Sequence, residues 1–132
     1  MTNSRPKKVA VLMGGPGSER DVSLATARGV AKALGSLAIE VVEVDVRDEH
    51  FQVPAGVDVA FNCIHGTFGE DGQIQRILED RGISYTGDGV EESRIAFDKI
   101  LSKEKFLERG IVTPEFEVID AGQRPKFRCR WW

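Results

Sequence analysis

Apolar positions along the chain switch repeatedly between two periods. Lys8–Met13 (KVAVLM) is continuously apolar after its first residue, the pattern of a strand covered on both faces and central in its sheet. Gly14, Gly15, Pro16 and Gly17 end that run. Val22, Leu24, Ala25, Ala27, Val30, Ala31 and Leu34 then recur at helical spacing until Gly35. Ile39–Val44 predicts a second strand leading into Asp45 and a polar connection, which completes a β-α-β unit. Val57–Ile64 (VDVAFNCI) predicts a third strand, and its last residues deliver His65 and a glycine-rich loop through Gly72. Ile74, Ile77 and Leu78 mark a short helix closed by Gly82, and Ile83–Thr86 predicts a short fourth strand. Helices follow over Val90–Phe97 and Ile100–Arg109, with Gly110 as a stop, and Glu115–Ile119 predicts a further strand. Strands alternating with helices point to an α/β fold, a parallel sheet flanked by helices.

Composition narrows the class. The 132 residues, 41% hydrophobic and 30% charged, suit one domain with a sizeable core. A net charge of -3 comes from intermixed acids and bases, so neither a nucleic-acid footprint nor a membrane patch is expected. No apolar run is long enough to span a bilayer, and the polar start lacks the apolar core of a signal peptide, so a cytoplasmic protein is expected. Cys63 lies in an apolar run and Cys129 in a basic tail, with no metal-ligand spacing around either. The domain is expected to cover 1–120. Residues 121–132 have neither periodicity nor a convincing element and are expected to be an irregular tail, the product of a truncation or a frame change.

In open α/β sheets ligands gather beyond the carboxyl ends of the strands, so the loops after the first and third strands are where chemistry is sought. The first, Gly14–Glu19, leads into a helix N-terminus, a common anion site. A dinucleotide fingerprint is suggested by Gly15 and Gly17, with Asp45 placed to meet a ribose. Arg20, however, stands where the last glycine belongs, and Glu19 would repel a pyrophosphate. The Glu19 carboxylate could instead accept an amino-acid ammonium. A plainer role is equally open: Ser18 and Asp21 approximate a capping box, and Glu19 complements the helix dipole. Ser23 reads as an ordinary helix residue.

The second loop, His65–Gly72 (HGTFGEDG), concentrates an imidazole, two acids and three glycines directly after a buried strand. His65 could hydrogen-bond a substrate carboxylate or move a proton, or it could simply tie down the loop. Glu19 and His65 leave the same edge of one parallel sheet, which favours the functional role. Glu70 and Asp71 fit loop braces and helix caps better than catalytic acids.

These motifs carry a resemblance. GGPGSERDVSL over 14–24 is similar to the first motif of D-alanine:D-alanine ligases, and HGTFGEDG over 65–72 to their second. Further agreement comes from ISYTG over 83–87 and from Asp98, Lys99, Ser102 and Lys103, so the resemblance runs from about Lys8 to Ile119. Gly17 stands where the family often has Ser, and Arg76 where a small residue is usual.

The resemblance implies a Rossmann-like pre-ATP-grasp domain of an ATP-dependent ligase that joins two D-alanines through an acyl phosphate for peptidoglycan synthesis. Glu19 would then be catalytic and hold the first ammonium, Val22 would touch the methyl, His65 would lie beside the activated carboxylate, and Lys99 would face ATP phosphate. Without the resemblance Lys99 is equally well a surface lysine. The family enzyme uses ATP and Mg2+, supplied by ATP-grasp domains that would follow the present end. Neither is expected to bind this chain tightly, and the chain alone is expected to be inactive. D-alanine is the expected small-molecule partner, and the resemblance implies a homodimer. A noncatalytic binding or dimerisation module that keeps the fold is the alternative, and a dinucleotide-dependent enzyme is disfavoured by Glu19.

Overall fold

The computed structural model describes residues 6–126, so Phe127–Trp132, including Cys129, lie outside the described residues. Its elements run β1 (Lys8–Gly14), α1 (Arg20–Gly35), β2 (Glu40–Val46), β3 (Val59–Asn62), α2 (Gln73–Asp80), α3 (Val90–Phe97) and α4 (Lys99–Glu108). The three strands form a parallel sheet in the order β2-β1-β3. β1, apolar after Lys8, is the central strand, as its sequence predicts. Val9, Val11 and Met13 enter one core cluster with Ala27, Ile39 and Cys63, beneath α1. Ala10 and Leu12 enter the other with Val44, Val46, Phe51, Ile64, Phe68, Ile74 and Leu78. Alternate residues of β1 therefore feed the two faces, the period-2 consequence of a strand covered twice.

Two predicted strands are corrected. Ile83–Thr86 makes only an isolated parallel bridge between Tyr85 and Ala60, although Ala60 donates to the Ser84 carbonyl and Thr86 to that of Ala60. A stretch bounded by Gly82 and Gly87 is too short to extend the ladder beyond those bonds. Glu115–Ile119 is not a strand, because no neighbouring strand among the described residues pairs with it. It is instead held by side chains: the Lys103 ammonium donates to the Thr113 hydroxyl (2.7 Å) and the Pro114 carbonyl (2.9 Å) and lies 5.1 Å from the centre of the Phe116 ring. Lys126, in the expected tail, donates its backbone N–H to the Glu117 carboxylate.

Asp45, at the end of β2, accepts from Arg20 Nη2 at 2.8 and 2.9 Å and from Arg47 Nε at 3.0 Å. Burial by itself pushes the Asp45 carboxyl up, but the hydrogen bonds and charges of the two guanidinium groups outweigh it and hold the group below the ordinary carboxylate range. A depressed native value stabilises the fold above the unfolded value and ceases to do so as pH falls through the native one. The stability difference between wild type and Asp45→Asn is therefore expected to be full at neutral pH and to close in acid below the carboxylate range. Urea unfolding across pH checks this, and a difference independent of pH contradicts it.

Candidate functional site

Both candidate loops leave the carboxyl edge of the sheet side by side. The first ends at Glu19, which precedes α1 and makes no side-chain cap bond, so neither Ser18 nor Glu19 serves as a side-chain cap for this helix. One turn into α1, Ser23 is fully buried. Its hydroxyl donates to the Glu19 carbonyl at 3.2 Å and accepts the His65 backbone N–H at 2.8 Å. A single hydroxyl thus ties the residue that carries the acid to the residue that carries the imidazole. Thr26 stands one turn further along the same helix face, and its Oγ1 is 3.0 Å from His65 Nε2.

The Glu19 side chain lies over the second loop. A Cβ placed on Gly66, whose φ is +70°, would come within 2.9 Å of a Glu19 carboxylate oxygen, so only glycine leaves this approach open. The loop itself is braced throughout. Glu70 accepts the Gly66 N–H at 2.9 Å and places its other oxygen 3.6 Å from His65 Nδ1. Asp71 accepts from the backbone of Phe68 and from both the backbone and side chain of Gln73, the first residue of α2. Asn62 and Gln75 both donate their side-chain amides to the Gly69 carbonyl, at 2.8 and 3.0 Å. Phe68 is held at a φ of +78° while its ring is 6% exposed in the core, a strained backbone kept in place by burial.

Ser23→Ala removes the partner of a buried N–H and is expected to cost about 1–3 kcal/mol. Denaturant unfolding checks it, and a change under about 0.5 kcal/mol, the size of an ordinary surface substitution, contradicts the bridge.

On the far side of His65 a cavity of about 480 Å³ opens between β3, α2 and α3. Phe61, Ile64 and Phe97 give it apolar walls, and His65, Glu70 and Asp88 supply polar groups, with no lysine or arginine among the described lining residues. Glu19 lies across Gly66 and outside that lining. Val22, on the exposed side of the first turn of α1, is 55% exposed. Lys99 is also exposed, at the start of α4, and lines a different hollow with Lys103 and Phe116. The structure therefore joins the backbones of Glu19 and His65 through Ser23, and leaves both the Glu19 side chain and Lys99 out of the His65 cavity. Asp45 is engaged by two arginines, which leaves the dinucleotide alternative without its ribose acceptor. Among the described residues no group of three or more His, Cys, Asp or Glu is placed to hold a metal ion.

Residues 47–88, from the end of β2 to the turn before α3, match the family model described as D-ala D-ala ligase N-terminus. Over 127 residues the chain is 48% identical to a D-alanine–D-alanine ligase of Methylacidiphilum infernorum, covering 96% of this chain and 42% of that protein. Over 118 residues it is 47% identical to the ligase of Geobacter sulfurreducens, covering 88% and 37%. Over residues 47–88 the chain carries a D-alanine–D-alanine ligase N-terminal domain. Solved ligases share its fold. The Aeromonas hydrophila enzyme superposes with a TM-score of 0.78 at 31% identity, over 89% of this chain and 52% of that one. The Bacillus anthracis enzyme complexed with ATP gives 0.79 at 30% identity, over 92% and 42%. The chain thus spans about two-fifths of the length of the curated relatives it matches. No helix among its described residues is long and apolar enough to cross a membrane.

Proposed function

We propose that the chain supplies the amino-acid side of a cytoplasmic, ATP-dependent D-alanine–D-alanine ligase whose dipeptide enters peptidoglycan. The observation that carries this is the Ser23 bridge, which ties the backbone of the acidic Glu19 to that of His65 on neighbouring loops of one sheet edge. A small zwitterion needs an acceptor for its ammonium and a donor for its carboxylate, set a few ångströms apart. Glu19 takes the first role and His65 the second, while Val22 offers an exposed apolar side chain for the methyl of D-alanine. The braces from Glu70, Asp71, Asn62 and Gln75 hold the His65 loop before substrate arrives, so little ordering remains to be done on binding.

Phosphoryl transfer needs concentrated positive charge, which the lining of the His65 cavity does not supply. Among the described residues no lysine or arginine lines the His65 cavity, and Lys103, the neighbour of Lys99 in its hollow, is already engaged by Thr113, Pro114 and Phe116. Lys99, exposed in that hollow, is the lysine left to face an ATP phosphate. The division of labour predicts that the purified 132-residue chain, given ATP, Mg2+ and D-alanine, forms no D-alanyl-D-alanine while it still binds D-alanine. Dipeptide formation by the chain alone overturns the division. Self-association through the exposed Phe106, Leu107 and Ile111, at the end of α4 and just beyond it, belongs to the same proposal.

A further inference from the structure

His65 meets a different partner at each ring nitrogen: a hydroxyl at hydrogen-bond distance from one, and a carboxylate somewhat further from the other. Nδ1 lies 3.6 Å from a Glu70 carboxylate oxygen, which can only accept a proton, whereas Nε2 lies 3.0 Å from a Thr26 hydroxyl, which can also donate one. In a neutral imidazole a single nitrogen carries the proton. Glu70 draws that proton to Nδ1, and the Thr26 hydroxyl then donates to the lone pair of Nε2. A substrate carboxylate cannot bond to Nε2 in this state, because both atoms would offer only lone pairs.

We propose that Thr26 is a positioning residue that holds His65 in its Nδ1-protonated form until a carboxylate ligand arrives, and that binding then places one further proton, taken from solvent, on Nε2. This rests on the D-alanine reading of the site. On binding, the Thr26 hydroxyl rotates away from Nε2, and the new N–H donates to the ligand carboxylate. The imidazolium ends between two carboxylates, that of the ligand and that of Glu70. His65 is 34% exposed at its side chain, enough for solvent to deliver the proton. The acidic groups that face it are Glu70 from its own loop, Glu19 from the head of α1 across Gly66, and Asp88 from the turn before α3 on the same cavity. From α3 the cavity receives only the uncharged Ser93, Ala96 and Phe97.

Two measurements on the intact chain test this. Nitrogen-15 NMR of ligand-free protein above the His65 titration should show the Nδ1–H tautomer in wild type and in Thr26→Ser, and a mixture of tautomers in Thr26→Val. An Nε2–H tautomer in wild type, or a Thr26→Val spectrum identical to wild type, overturns the positioning role. Calorimetry with D-alanine in two buffers of different ionisation enthalpy should then show uptake of about one proton per ligand above the His65 titration and close to none below it. Binding without proton uptake above that titration overturns the second half. If D-alanine does not bind at all, the amino-acid reading and the proton uptake fall together, while the free-chain NMR still decides the Thr26 contact.

Discussion

Gly69→Ala is expected to destabilise the chain by about 3 kcal/mol, because overpacking against a fixed backbone and the loss of loop hydrogen bonds act together. A Cβ at this position would overlap the carbonyl group of Ile64. Ile64 cannot yield cheaply: it is 3% exposed in the core, and its N–H is held by the Asn62 side chain. Gly69 can retreat only by giving up the amides of Asn62 and Gln75 that converge on its carbonyl. Retreat would also shift Glu70, and with it the carboxylate beside His65 Nδ1. Urea unfolding measures the loss, and a stability within about 0.5 kcal/mol of wild type contradicts the packing described.

The second large effect falls on ligand binding and leaves the fold alone. Glu19→Gln keeps the size of the side chain that lies over Gly66 and removes its charge. A charge-assisted bond to an ammonium is roughly twice as strong as a neutral one, so affinity for D-alanine is expected to fall about tenfold or more. Glu19 is exposed and makes no cap bond, so its contribution to stability is expected to stay within about 0.5 kcal/mol. Calorimetry of the two proteins separates the quantities. Equal affinities at equal stability would remove Glu19 from the site.

Much of this architecture was legible because strand and helix periods alternate so cleanly. The apolar run of β1 announced a strand with two covered faces, and a parallel sheet then required the loops that carry Glu19 and His65 to emerge together. Glu70 and Asp71 could be read as braces because acids beside a glycine-rich turn have backbone N–H groups within reach. Ser23 and Thr26 were missed for a physical reason. A serine in a helix has no signature of its own, and only the packing of α1 on the sheet reveals that Ser23 and Ala27 are its two buried positions. Small residues four apart inside an apolar stripe were the available signal, since they allow the close approach that brings the His65 backbone to the Ser23 hydroxyl. Glu115–Ile119 failed as a strand for the opposite reason. Alternation describes a segment that could pair, whereas pairing depends on a partner elsewhere in the chain.

The most direct measurement of the central claim is the backbone amide spectrum of the chain titrated with D-alanine. The Ser23 bridge and the Glu19 contact over Gly66 predict that Glu19, Ser23, His65 and Gly66 shift together and saturate at one ligand concentration, with L-alanine far weaker. Shifts confined to the hollow around Lys99 and Phe116, or no saturable shift at all, would show that these two loops do not form an amino-acid site.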